Sequence, residues 1–193
     1  GGATPRDSRR GWYQYQRRHN VKAEAAAQVD PTESGRRIVS DGRRWRATDP
    51  SIPEPLRQEL VNNLMAARRG VGSARRAGDD AAERLARAQV DDAKFALGER
   101  GEPWWEPPSE GGRRRRARAT VRALSGGRAP DRTICPSDVA RAIGGPSWRS
   151  ILGMVRDEVR TLAYDNVVEV SQRGKPLDPD RAWKGPIRIR RTG

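Results

Sequence analysis

The sequence has few of the residues that build large cores, disulfides and metal sites. It holds one cysteine and one histidine, and 34% of its 193 residues are apolar. Cys135 has no second cysteine for an intrachain disulfide, and with His19 it supplies two of the three or four ligands that a zinc site takes. We therefore expect no disulfide, no metal and no other cofactor, and small folded parts rather than one large core.

Long apolar runs and the common catalytic motifs are also missing. No stretch approaches the roughly 18 apolar residues of a membrane span. The sequence contains no Gly-rich phosphate loop, no paired metal-binding histidines and no Gly-x-Ser-x-Gly elbow. These absences predict a cytoplasmic protein that is not an enzyme. Pairing of Cys135 with His19 is the remaining catalytic alternative.

Positive charge is what the sequence has in excess. Its 39 basic and 25 acidic residues give a formal net charge of +14 and a pI near 11.3. Residues 113–193 contain roughly 19 of the basic residues and about 8 of the acidic ones. The C-terminal part should therefore attract polyanions, of which nucleic acid is the most common protein partner.

Residues 1–40 mix glycine, proline, serine and arginine, a composition that predicts a weakly structured arm. The alanine-rich stretch Lys22–Val29 favours a short helix within it. Trp12, Tyr13 and Tyr15 lie beside arginines, a composition suited to stacking on unpaired bases, which would make RNA the better partner. The same side chains also suit packing against the rest of the chain, which we favour.

Residues 41–102 predict an αα-hairpin. The segment 41–50 is rich in turn residues, and apolar side chains then recur every three or four residues over about 53–76. Gly78, Asp79 and Asp80 supply a helix stop and a new N-cap before a second stripe that Gly98 closes. The hairpin would serve self-association or contact with a protein partner. Residues 103–112, rich in proline, tryptophan and glycine, predict a linker.

Residues 113–193 predict a compact module with a defined order of elements. We expect helices over Arg113–Leu124, Pro136–Ile143 and about 148–162, a short β-run at Thr133–Cys135, and strands over Val167–Ser171 and Pro186–Arg190. That order is the winged helix-turn-helix. The predicted fold class is mainly α, with an αα-hairpin followed by an α+β winged helix.

Arginines on the third helix of this module, Arg149, Arg156 and Arg160, share one predicted face. Arg149 and Arg156 could read base edges with Ser150 beside them, while Arg160 and the wing contact phosphates. The further candidate phosphate contacts are Arg173, Lys175, Arg181 and Lys184 in the wing and Arg113, Arg114, Arg115 and Arg116 at the first helix. The alternatives are a solvated helix face and a charge run that aids solubility.

Several strings in this module resemble a bacterial family of small winged-helix-like domains of unknown function. They are Thr133–Arg141, Trp148–Arg149, Gln172–Pro179 and Gly185–Arg188, and the resemblance spans roughly residues 115–191. Asp180–Lys184 departs from the family pattern and lengthens the wing. In residues 42–105, the strings Gly42–Arg46, Ala93–Gly101 and Pro103–Trp105 resemble those of bacterial proteins sometimes labelled Tol-type biopolymer transporters. Both resemblances imply fold and boundaries, and neither implies a function.

These observations predict a DNA-binding protein, either architectural or regulatory, that grips duplex DNA mainly through its phosphates. The alternatives are an RNA-binding or ribosome-associated protein and an adaptor that uses the winged helix as a docking surface. Duplex DNA is favoured over RNA, and no membrane contact is expected. The protein would then be associated with the nucleoid or the ribosome.

Overall fold

The computed structural model describes residues 30–31, 35–40, 42–129 and 131–192. The chain divides into two compact units, Gly1–Ala47 and Thr48–Gly193. The first boundary therefore falls after residue 47 rather than after residue 40. The predicted helix at Lys22–Val29 lies outside the described residues.

The first unit contains a small antiparallel sheet in the order β1-β2-β3, formed by Asp30–Pro31, Arg37–Ser40 and Arg43–Arg46. Ile38 pairs with Trp45 across β2 and β3. The prediction of a turn-rich entry over 41–50 is wrong for β3. Asp41–Gly42 lies between two β-favouring runs, a recognised hairpin signal, and Gly42 adopts the positive φ of 71° that such a turn requires.

The predicted αα-hairpin is confirmed. Helix α1 runs from Glu54 to Ala77 and helix α2 from Asp80 to Ala96. Gly78 ends α1 with a left-handed φ of 65°, and the Asp79 side chain caps α2 by accepting a hydrogen bond from the Ala82 amide at 2.9 Å. The buried residues of α1 and α2 are mostly leucine and alanine, so the two helices pack closely.

Helix α3 is longer than its apolar pattern suggested, running from Glu110 to Gly127. Ser109 caps it by accepting a hydrogen bond from the Gly112 amide at 3.0 Å. The first turn therefore carries Glu110 and two glycines, and the prediction of an arginine-only first turn is wrong. Gly127 is the last residue of the helix, which therefore ends at the Gly126–Gly127 pair, as the sequence indicates. Residues 110–112 thus belong to α3 and not to a linker.

Two further helices follow. Helix α4 spans Pro136–Gly144, with Pro136 in its first turn as expected. A 3₁₀ helix over Gly145–Ile151 then leads directly into helix α5, Leu152–Tyr164. The helix expected from residue 148 therefore begins as a tighter 3₁₀ segment.

A second antiparallel sheet closes the C-terminal part, in the order β5-β4-β6. Strand β4 is Val168–Gln172, β5 is Lys175–Pro176 and β6 is Arg188–Arg191. The two predicted strands are confirmed, and Ile134 forms the expected short β-contact by pairing with Ile189. The fold is mainly α with a small α+β C-terminal part, as the sequence predicts.

One hydrophobic core joins the hairpin to the C-terminal part. Leu60 of α1 and Leu97 after α2 belong to the same buried cluster as Val121 of α3, Val159 of α5 and Ile189 of β6. All five side chains are fully buried. The sequence treats residues 41–102 and 113–193 as separate folded parts, whereas in the structure α3 is the shared central element of both.

Three ion pairs fasten α3 and its C-terminal end to residues before it. Arg116 pairs with Asp49 at 2.8 Å, Arg122 with Asp92 at 2.7 Å and Arg128 with Glu59 at 2.6 Å. The last two are bidentate, because each carboxylate accepts hydrogen bonds from two guanidinium nitrogens. These bonds raise the pKa of both the Arg122 and the Arg128 guanidinium groups.

Candidate nucleic-acid interface

Two of the four arginines at the start of α3 form ion pairs within the protein, which the sequence did not suggest. Arg114 bonds Glu158 at 2.7 Å and Glu110 at 3.1 Å, and these hydrogen bonds, that from Glu158 above all, raise the pKa of Arg114. Arg116 is held by Asp49 and by the carbonyl oxygen of Ala96.

The other two members of the run are differently placed. The Arg115 guanidinium carbon lies 4.2 Å from the ring centroid of Phe95. Arg113 forms no ion pair within the part of the chain that the structure describes. The run therefore does not present four free charges to a polyanion, because two of its members hold the fold together.

Glu158 explains part of this arrangement. Its side chain is 7% exposed and faces two guanidinium groups, those of Arg114 at 2.7 Å and Arg118 at 3.1 Å. A buried carboxylate needs such partners to offset the cost of leaving water. These two arginines thus compensate a charge inside the module, which the arginine count alone does not reveal.

The arginines of α5 are also engaged by the chain itself. Arg156 donates hydrogen bonds to the carbonyl oxygens of Trp183, at 2.8 Å, and Gly185, at 3.1 Å. Arg160 donates to the carbonyl oxygen of Arg181 at 2.7 Å, and its guanidinium carbon lies 4.3 Å from the Trp183 ring centroid. Both side chains therefore hold the loop between β5 and β6 against α5.

The exposed face of α5 differs from the predicted arginine row. It carries Gly153, Asp157 and Thr161, while Arg156 and Arg160 are half-buried beneath the loop. The row was inferred from helical spacing alone, which does not show where the loop packs. Trp183 of this loop is 9% exposed, and the loop lies against Arg156 and Arg160, so these two arginines do not form a free row on the surface.

A different cluster is exposed at the segment that joins α4 to α5. Arg141 of α4 and Arg149 of the 3₁₀ helix both lie over the ring of Trp148, at 4.7 Å and 4.5 Å from its centroid. Both arginines are exposed, and neither forms an ion pair among the residues that the structure describes. We call these three residues the Trp148 cluster.

Sequence reasoning named Arg149 but missed Arg141 and the role of Trp148. Arg141 lies between the buried residues Ala140 and Ala142 of α4 and is itself exposed. The 3₁₀ helix then carries Trp148 back towards it, which helical periodicity cannot anticipate. Ser150 is exposed beside the cluster and donates a hydrogen bond to the Ser147 carbonyl oxygen.

Two more candidate residues approach this region. Arg113 and Ser150 line the same cavity of about 420 Å³, which places the start of α3 beside the start of α5. Lys184 is exposed between the two residues whose carbonyl oxygens bind Arg156. It is therefore carried close to the first turns of α5.

The remaining candidates lie in the wing. Arg173 and Gly174 form the turn between β4 and β5 with positive φ values of 50° and 77°, and Lys175 begins β5. Arg173 and Lys175 are exposed. Arg181 is exposed too, with Asp178 at 3.6 Å. The predicted stacking residues Trp12, Tyr13 and Tyr15 lie outside the described residues.

No group of His, Cys, Asp or Glu side chains suited to a metal ion occurs among the described residues. In the same part of the chain, no helix combines the length and apolar character that crossing a membrane requires.

The fold and the site together define a mainly α protein with an exposed basic cluster beside its C-terminal helices. Residues 114–192 match the model of a family described as a protein of unknown function, DUF3253. The expected resemblance to a family of unknown function over roughly 115–191 is thereby confirmed. No curated protein matches the chain. For residues 42–105, the resemblance to Tol-type proteins stays a prediction.

Proposed function

We propose that residues 113–193 form a winged helix-turn-helix that binds duplex DNA, with the Trp148 cluster as its principal contact. The single observation that supports this most directly is that two exposed arginines, Arg141 and Arg149, meet on the half-buried Trp148 without a carboxylate partner in the described part of the chain. Unpaired guanidinium groups at a protein surface suit phosphate and guanine contacts.

The position of the cluster also favours DNA. In helix-turn-helix proteins the start of the second helix faces the bases. Here α4 and α5 are those two helices, and Arg149 and Ser150 lie just before α5. Arg149 would reach base edges or phosphates while Arg141 contacts the neighbouring backbone.

The wing adds a second contact in this proposal. Arg173 and Lys175 are exposed at the β-turn, and Lys184 is held beside α5 through its neighbours. Arg156 and Arg160 act indirectly, because they position the loop that carries Lys184. The exposed Asp157 would repel phosphates along the middle of α5, which restricts the contact to its N-terminal end.

Binding of the full chain to a random duplex, measured by fluorescence anisotropy at several salt concentrations, tests the proposal. The double variant Arg141→Ala/Arg149→Ala should bind about tenfold or more weaker, and its salt slope should fall by about 1 for each lost phosphate contact. The matched control is Arg68→Ala/Arg69→Ala, which removes two exposed arginines of α1 that form no ion pair among the described residues.

Three results would contradict the proposal. Equal loss in the control would show that net charge alone drives binding. Tighter binding to structured RNA at the same salt concentration would favour the RNA-binding alternative. Weak binding that neither variant changes would favour an adaptor that recognises a protein.

A further inference from the structure

A cavity of about 810 Å³ lies between the end of α2 and the turn that follows α4. Small-molecule sites commonly occupy about 300 to 1,000 Å³. Its walls include Phe95 and Trp104 on one side, the first two turns of α3 on another, and Gly144–Pro146 on a third. We call it the α2–α3 cavity. It is not part of the Trp148 cluster.

The aromatic wall is set by the backbone. Gly98 and Gly101 adopt positive φ values of 75° and 84°, which other residues rarely tolerate. A Cβ atom at Gly101 would lie 2.6 Å from the Phe95 ring, and one at Gly98 would lie 3.2 Å from the Trp104 ring. Glycine at these two positions therefore lets the backbone pass close to both rings.

The charged residues of the cavity lining include arginines that form no ion pair in the described part of the chain. Arg113 and Arg115 both line the cavity, and neither has a carboxylate partner among the described residues. The carboxylates of the lining are largely occupied. Asp49 is bound by Arg116, and Glu102 accepts hydrogen bonds from the amide and the hydroxyl group of Ser109, which lower its pKa.

Glu106 is the third carboxylate of the lining, and it is exposed, so water screens its charge. An anionic group inside the cavity would thus meet two guanidinium groups that lack a counter-ion. A planar ring would meet Trp104, since aromatic side chains stack well on flat ligands.

We propose that the α2–α3 cavity binds a small molecule in which a planar ring carries an anionic group. The ring packs against the aromatic wall, and the anionic group accepts charge-assisted hydrogen bonds from Arg113 and Arg115. An aromatic carboxylate and a nucleoside monophosphate share this chemistry. The proposal does not depend on DNA binding, since none of the residues of the Trp148 cluster takes part.

Isothermal titration of the full chain, without nucleic acid, tests the site with four probes. Indole-3-acetate and AMP carry both a ring and an anionic group, indole-3-ethanol carries the ring alone, and acetate carries the charge alone. We expect indole-3-acetate, AMP or both to bind saturably at one site. Indole-3-ethanol and acetate should each bind at least about tenfold more weakly. If indole-3-acetate binds more tightly than AMP, the natural ligand carries a carboxylate; if AMP binds more tightly, it carries a phosphate. Failure of both to saturate, or equal binding of indole-3-ethanol, overturns the proposal.

Two variants separate this site from general charge or folding effects. Arg113→Ala/Arg115→Ala should weaken the preferred probe by at least about tenfold, whereas Arg76→Ala, on the distant end of α1, should not. Gly111 lines the cavity, and a Cβ there meets no atom within 4 Å, so we expect Gly111→Phe to place a ring at the cavity without a steric clash.

Gly111→Phe should abolish probe binding while its melting temperature stays at or above that of the parent chain, because a helix gains stability when glycine is replaced. Undiminished binding by this variant would overturn the proposed location.

Discussion

Arg116 and Asp49 form an ion pair that joins the middle of the chain to the segment before α1. Nη2 of Arg116 lies 2.8 Å from Oδ2 of Asp49, and the two side chains are 17% and 5% exposed. The same guanidinium group donates to the carbonyl oxygen of Ala96, and Asp49 also accepts hydrogen bonds from Ser51. An arginine of the most basic stretch in the sequence is thus a structural residue.

Replacing Arg116 should destabilise the protein strongly. Arg116→Ala leaves the buried Asp49 carboxylate without its counter-ion, so we expect the free energy of unfolding to fall by about 3 kcal/mol. Urea unfolding followed by circular dichroism measures this change. Arg68→Ala, at an exposed position, is the control and should change it by less than about 0.5 kcal/mol. Equal effects of the two substitutions would contradict a buried, structural pair.

The C-terminal module should not fold well without the hairpin. Residues 113–193 alone would expose the faces of Val121 and Leu124 that pack in the same core as Leu60 and Leu97. We expect a fragment of residues 48–193 to unfold cooperatively, and the 113–193 fragment to melt at a lower temperature with a broader transition. Thermal circular dichroism compares them. Equal melting temperatures would show that the module is an independent domain.

The loop between β5 and β6 should depend on α5 for its order. Arg160→Ala removes the cation–π contact with Trp183 and a hydrogen bond to the Arg181 carbonyl oxygen. Amide hydrogen exchange should therefore accelerate about tenfold or more across residues 177–187 while the amides of α3 keep their protection. Arg149→Ala, which touches Trp148 and not the loop, should leave that exchange unchanged.

Tyr164 should titrate above its usual pKa. Its hydroxyl group donates a hydrogen bond to Asp180 at 2.6 Å, and this bond raises the pKa of the phenol. The raised pKa means that the neutral phenol is favoured in the folded state. Its contribution to stability is therefore complete below the ordinary tyrosine pKa and is lost as the pH rises through the raised value. Absorbance at alkaline pH should show a late-titrating phenol that disappears in both Tyr164→Phe and Asp180→Asn.

Local signals account for the elements that the sequence predicted correctly. The stripe of leucine and alanine in α1, the Gly78–Asp79 boundary and the alternating residues of β4 each act within a few residues, so periodicity and capping reveal them. The β2–β3 hairpin carried a similar local signal in Asp41–Gly42, and it was missed because the arginines around it obscured the alternation.

The candidate site was harder to predict, because it depends on which arginines are paired. Residues 48–112 contain more acidic than basic residues, and three of their carboxylates bind Arg116, Arg122 and Arg128. The acidic excess of residues 48–112 could have predicted that their carboxylates pair with the arginines of residues 113–193. No pattern along the chain indicates which arginine meets which carboxylate, since the partners lie 30 to 69 residues apart.

The sequence by itself determined the helices, the wing strands and the excess of positive charge, because these depend on neighbours within a few positions and on composition. The tertiary structure decided where that charge is available. Arg114, Arg116, Arg156 and Arg160 are taken up by groups distant in sequence, whereas Arg141 and Arg149 stay exposed on Trp148. Charge is a property of each residue, but its accessibility depends on which carboxylates and carbonyl groups folding brings beside it.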